Sequence, residues 1–141
     1  MEYFFWFYMT AMSLLVPWVM HVFGKYYQED PPRERNASTG YRTKRSMQNE
    51  QTWAFAHEYF GRIIGYMGPV LMVVAMLSMV MVWGKDTAAV VIQSLAVIGL
   101  EFVFFIAAML QTERALKKTF GKRGTKDEVG RDFKGNSDHR N

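Results

Sequence analysis

The chain contains no cysteine, and only three histidines and four prolines among its 141 residues. Without cysteine there are no disulfides and no thiolate metal sites, and the redox compartment leaves no mark. The histidines stand at 21, 57 and 139, scattered and outside any HExxH pattern, so no metal site is expected. No nucleophile–base pair, phosphate-binding glycine loop or paired carboxylate stands out, so neither enzymatic activity nor a cofactor is expected. Charge is also missing, but only in places. Tyr3 to Gly24 and Ile63 to Trp83 carry no Asp, Glu, Lys or Arg, and Thr87 to Leu110 carries only Glu101. A mean hydropathy near zero therefore averages over strongly apolar blocks and strongly polar remainders.

Each apolar block is about 20 residues or longer, which at about 1.5 Å per residue crosses a hydrocarbon core of about 30 Å. In lipid the backbone must satisfy its own hydrogen bonds, so the blocks are helices rather than strands. The expected fold is all-α: an integral membrane protein with three transmembrane helices at about 3–24, 61–83 and 87–110. A length of 141 residues leaves room for one domain. The first block lacks a basic n-region and a small-residue cleavage site, so it reads as a retained helix rather than a signal peptide.

The net charge of +4 is distributed unevenly. The 25–60 loop carries Lys25, Arg33, Arg35, Arg42, Lys44 and Arg45. The end of the chain carries Arg114, Lys117, Lys118 and six further basic residues. The turn Gly84-Lys85-Asp86 has one of each sign. The positive-inside rule then predicts N-terminus out, loop in, turn out and C-terminus in. Asn36-Ala37-Ser38 matches a glycosylation sequon, but this topology places it in the cytoplasm. Residues 121–141 are Gly-, Lys- and Asp-rich and are expected to form a disordered basic cytoplasmic tail. That tail lacks interleaved aromatics and contains four acids, so membrane-surface contact fits it better than direct nucleic-acid binding.

Within the spans, Pro17 deprives the Ser13 carbonyl of its helical donor, and Pro69 does the same to Gly65, so kinks are expected at both. Gly61 and Gly65 form a GxxxG step suited to close helix approach or self-association. Glu101 is the single carboxylate at membrane depth and by default a functional candidate. Counting along the hairpin sets it level with residues 68–70, with Ser94 two turns earlier on its face and Gln93 beside that. A protonated Glu101 would be able to donate to the Gly65 carbonyl or to Tyr66, either as a proton-linked group or merely to hold the hairpin together. His21 is expected to meet Tyr66 or Glu58, as a packing residue.

The loop carries more specific residues than a connector needs. Gly40 suggests a turn, and Ser46 or Asn49 a helix cap with Glu50 in the first turn. Trp53, Ala56 and Phe60 recur at helical spacing, as an amphipathic segment before the second helix that either lies along the inner leaflet or runs directly into the span. Arg42, Lys44 and Arg45 would suit anionic headgroups, but Tyr41, Thr43 and Trp53 are superfluous for simple anchoring. An ordered loop folded onto the inner helix ends accounts for them better.

The run Gly40-Tyr41-Arg42-Thr43, Ser46-Met47, Asn49, Trp53 and Ala56-His57 resembles the central signature of the SdpI family of small bacterial membrane proteins. The stretch Thr112-Glu113-Arg114-Ala115-Leu116-Lys117-Lys118-Thr119-Phe120 resembles the usual ending of that family's last helix. The resemblance marks Asn36, Gly40, Tyr41, Arg42, Thr43, Ser46, Asn49, Trp53 and Ala56 as signature positions, in a membrane domain spanning 1–120. It implies a bacterial plasma-membrane protein conferring immunity to a membrane-active toxic peptide, with a cytoplasmic repressor as a possible partner docked on the 25–61 loop. The family's named immunity protein is longer, with additional helices before the signature. Two other roles remain open: a small oligomeric transporter or proton-linked component using Glu101, and an adaptor acting through the loop alone.

Overall fold

The computed structural model describes residues 2–33 and 40–121. The tail beyond them, and Asn36 in the loop, lie outside the described residues. Three helices account for most of the described residues: α1 (Glu2–Glu29), α2 (Glu50–Val80) and α3 (Thr87–Phe120). Each is long and apolar enough to cross a membrane, and no strand occurs among the described residues. The all-helical expectation of three spans therefore holds, with each helix reaching past its apolar block at the loop end.

The start of α2 resolves the two readings of residues 50–60. They are not a separate surface helix but the first turns of α2, which runs unbroken from Glu50. Asn49 caps it. Its side chain accepts from the Thr52 amide at 2.9 Å, while the Thr52 hydroxyl accepts from the Asn49 amide at 3.0 Å. This reciprocal box satisfies amides that a helix start leaves bare. At the other end α2 stops at Val80, three residues before the expected limit, because the chain turns through Gly84 at φ +71°. Asp86 then opens α3.

The helices form an antiparallel bundle with α1 and α3 running the same way. Trp6 donates its indole N–H to the Met79 carbonyl at 2.9 Å near one end, and Gln28 reaches the Gly61 carbonyl at 3.1 Å near the other. The core divides accordingly. At the turn end Trp6, Met79, Val82 and Val90 pack together, with Trp83 edge-on to Trp6 at 4.5 Å. At the loop end Met20, Tyr27, Tyr41, Phe60, Ile64, Leu71, Leu116 and Phe120 form the larger cluster. The outward faces keep Val, Leu, Phe and Trp side chains exposed along all three helices, as lipid-facing surfaces require.

Glycine decides how closely α1 lies on α2. A Cβ on Gly24 would fall 2.4 Å from the Gly65 backbone, one on Gly61 would fall 2.8 Å from the Tyr27 Cβ, and one on Gly68 would meet the Pro17 carbonyl at 2.7 Å. The Gly61–Gly65 step is therefore occupied within the chain, seated against Gly24, and is not available as an oligomer seam. Such close backbone approach is what small residues permit in a bilayer.

Candidate functional site

The signature residues assemble at the loop end of the bundle, on top of α2. Gly40 adopts φ +134°, and a Cβ there would come within 2.6 Å of the His57 ring. Glycine is needed twice over, for its backbone angle and for its lack of a side chain. The next amide, Tyr41 N–H, donates to His57 Nε2 at 2.9 Å. His57 Nδ1 lies 2.8 Å from the Trp53 carbonyl. One ring nitrogen faces a donor and the other an acceptor, which fixes the neutral tautomer with the proton on Nδ1. The ring is fully buried, edge-on to Tyr27 at 5.0 Å and against Trp53 at 4.3 Å. Burial lowers the His57 pKa below its ordinary value, opposed in part by the bond to Trp53.

Tyr41 fastens the loop to α3. Its hydroxyl lies 3.1 Å from both the Met109 carbonyl and Glu113 Oε1, and its ring packs on Phe60 at 4.7 Å. Burial, and secondly the neighbouring Glu113 carboxylate, raise its pKa. Arg45 approaches the other Glu113 oxygen at 3.6 Å. Between Tyr41 and Asn49 the backbone is knotted by two hydroxyls. Ser46 Oγ accepts from the Thr43 amide at 2.9 Å and donates to the Tyr41 carbonyl at 2.7 Å, while Thr43 Oγ1 accepts from the Ser46 amide at 3.2 Å. Thr52 Oγ1 adds a bond to the Ser46 carbonyl at 3.1 Å. Trp53 is buried and donates its indole N–H to the Pro32 carbonyl, which ties the stretch after α1 to the same point; Ala56 is fully buried below.

Of the described signature positions, then, Gly40, Tyr41, Thr43, Ser46, Asn49, Trp53 and Ala56 build one ordered plate across the helix ends. Arg42 does not join it. Its side chain is exposed, with no hydrogen bond or ion pair among the described residues. Ser46 already donates to the Tyr41 and Thr43 carbonyls, and the guanidinium projects from the plate, open to an anionic group.

The intramembrane residues do not form the cluster anticipated for them. The Gly65 carbonyl released by Pro69 is taken by His21 Nδ1 at 2.9 Å, not by Glu101, because the glycine crossing brings α1 directly over it. Tyr66 points outward at 74 % exposure, and Glu58 pairs with Arg62 at 2.7 Å rather than with His21. Ser94 donates to the Val90 carbonyl at 2.8 Å, and Gln93 bonds the Ser78 hydroxyl, both nearer the turn end. Glu101 is left buried at 1 % exposure, and neither carboxylate oxygen finds a hydrogen-bond partner among the described residues.

Sequence reasoning gave no contact to three residues central to the site: His57 and Glu113, named only within the family-like stretches, and Gly24. His57 had a visible signal, four residues after Trp53 on the same helical face. The partners of Glu113 and Gly24 lie 72 and 41 positions away in sequence (Tyr41 and Gly65), beyond any local pattern. Among the described residues no group of His, Asp and Glu is placed to hold a metal ion.

Three apolar spans, with a bonded loop closing their ends, define a small multi-pass α-helical membrane protein. The family model of the SdpI/YfhL protein family matches residues 33–110, over half of the chain and the whole of the ordered loop, and the chain belongs to that family. Membership supports a membrane protein of the immunity type at family level. Comparisons with curated proteins and with solved structures gave no match.

Proposed function

We propose that this protein is a non-catalytic immunity protein of the bacterial plasma membrane, which protects its cell from a membrane-active toxic peptide. The observation that carries this reading is the family match, which begins at Arg33 and takes in the plate formed by Gly40 to Ala56. The N-terminus lies outside and the loop and C-terminus inside, as the basic residues dictate. Helix faces meet the peptide within the bilayer, while the plate, with Arg42 and Lys44 exposed on it, docks a cytoplasmic regulator.

The test is the membrane potential of sensitive bacteria challenged with a toxic peptide encoded near the gene. Cells expressing the protein should keep their potential, and Arg42→Ala should abolish protection or its signalling without loss of expression. Collapse at the same rate in cells with and without well-expressed protein would reject immunity to that peptide. Cysteines placed singly at 38, 86 and 137 should react from outside only at 86; labelling at 38 would overturn the orientation.

A second reading, a proton-linked component, is favoured by one feature: the buried Glu101 carboxylate with neither oxygen partnered. Under it, Glu101→Gln abolishes function with the fold intact and no toxin is needed. Immunity tolerates Glu101→Gln and depends on the toxin.

A further inference from the structure

Two clefts open on the α2–α3 hairpin, and no residue of α1 lines either of them. The one at the loop end, about 420 Å³, has Phe55 and Tyr59 on α2 facing Gln111, Arg114 and Lys118 on α3. Phe55 and Tyr59 stack at 5.6 Å with 16° between their planes. Arg114 and Lys118 stand one helical turn apart on the rim, exposed, and among the described residues neither makes an ion pair. The second cleft, about 470 Å³, is almost wholly apolar, bounded by Tyr66, Val70 and Val74 on α2 and by Leu100 and Phe104 on α3.

The two clefts share one face. Phe55 and Tyr66, Tyr59 and Val70, Leu100 and Gln111, and Phe104 and Ala115 are each separated by eleven residues. Eleven residues are three helical turns, which returns a side chain to the same face about 16 Å further along. Half of a hydrocarbon core is about 15 Å deep. A cationic, aromatic-floored cleft thus stands one leaflet's depth above an apolar one, in the geometry of a phospholipid headgroup and its acyl chain.

We propose that this face binds one acidic phospholipid of the membrane lengthwise. Its phosphate lies between Arg114 and Lys118 at the edge of the Phe55–Tyr59 shelf, and an acyl chain runs into the cleft between Val70 and Leu100. Arg114 supplies a planar fork matched to two phosphate oxygens and Lys118 a point charge. The aromatic pair covers the glycerol region, at the interfacial depth such rings favour. A zwitterionic lipid would bring a choline or ethanolamine cation against the same two charges, so the site selects net negative headgroups.

Native mass spectrometry of the full chain in detergent tests this, with phosphatidylglycerol, phosphatidylcholine of the same acyl chains, and inorganic phosphate as separate probes. The expected result is one retained phosphatidylglycerol per chain, preferred over phosphatidylcholine by roughly thirtyfold, from about 1 kcal/mol per cation near a membrane surface. Arg114→Gln with Lys118→Gln should erase the preference and leave helical circular dichroism unchanged, since both side chains are exposed. Leu100→Trp, which fills the deep cleft, should weaken retention of both lipids. Arg42→Gln with Lys44→Gln, outside the clefts, should leave the preference intact. Equal retention of the two lipids by the wild type, survival of the preference without Arg114 and Lys118, an equal loss without Arg42 and Lys44, retention of phosphate alone, or a dimer that excludes lipid would each overturn the proposal.

Discussion

His57 holds the signature loop through a single tautomer, and that makes the loop breakable in two independent ways. The first is substitution. His57→Phe keeps an aromatic ring between Tyr27 and Trp53 but offers no acceptor to the Tyr41 amide, which the structure places 2.9 Å from Nε2. A buried amide left without a partner costs about 1–3 kcal/mol, and the Trp53 carbonyl, inside α2, keeps its place in the helical ladder. A loss of about 2 kcal/mol raises the population of the open loop roughly thirtyfold. The second way is acid. Protonation puts a second N–H on Nε2, pointing at the Tyr41 N–H. Because burial holds the His57 pKa below its ordinary value of 6.5, the unfolded chain takes up the proton first. The stabilisation is therefore complete above about pH 6.5 and is lost as the pH falls from there through the lowered folded-state value. Hydrogen exchange of residues 40–46 in nanodiscs, corrected for the intrinsic pH dependence, reads both effects. Opening should accelerate by more than tenfold in His57→Phe at pH 7.5, and in the wild type as the pH falls from 7 to 5, while the variant should show no pH response of its own. Protection in the variant equal to wild type, or wild-type protection that grows on acidification, would refute the latch.

Three further outcomes follow from the packing. Gly24→Ala should lower the melting temperature in detergent sharply, because its Cβ would meet the Gly65 backbone at 2.4 Å, whereas Gly99→Ala has open space around it and should stabilise α3 by about 0.5–1 kcal/mol. Equal effects at the two sites would dismiss the crossing as the seat of α1. Tyr41→Phe should cost about 1–2 kcal/mol in thermal or denaturant melts, since its hydroxyl bonds both Met109 and Glu113. The raised Tyr41 pKa means that the wild-type advantage is present below pH 10 and declines above it, as the unfolded hydroxyl ionises first. Glu101→Leu should melt at least as high as wild type, because the carboxylate it replaces is buried and makes no hydrogen bond; a marked loss of stability would mean that Glu101 has a partner in the membrane.

The spans, the cap at Asn49 and the turn at Gly40 were legible because each depends on a few consecutive residues: a charge-free run, a side chain able to accept an amide, a position without a Cβ. The ordered loop was legible at one remove, through residues that simple anchoring does not require. The partners were not. Pro69 announces a free carbonyl at Gly65, but nothing local says that His21, 44 positions earlier, will take it rather than Glu101. The choice is made by the meeting of Gly24 with Gly61 and Gly65, and a GxxxG step reads the same whether it faces a second copy or another helix of its own chain. Glu113 shows the same limit. In sequence it is one acid in a basic run, and only the fold brings Tyr41 and Arg45 to it.

These contacts make the loop a joint among all three helices rather than a cover over one. Trp53 fixes the stretch beyond α1 through Pro32, His57 packs against Tyr27 of α1, Asn49 and Thr52 start α2, and Tyr41 with Arg45 reaches α3 through Glu113. A peptide that wedges the helices apart within the bilayer must strain at least one of these attachments, and the attachments converge on residues 40–46. Arg42 stands within that segment, exposed and unattached, where a rearrangement of the plate would move it without unfolding a helix. Under the proposed function, occupancy of the membrane face and presentation of Arg42 would be linked in the free-energy sense: a ligand that favours one arrangement of the helix ends biases the loop by as much as its affinities for the two arrangements differ. The linkage can be read in either direction. Arg42→Ala should leave peptide binding in the bilayer intact and silence only what the loop reports, whereas His57→Phe, by freeing the loop, should weaken the dependence of Arg42 exposure on the peptide. If both variants lose peptide binding equally, the plate supports the helices and reports nothing.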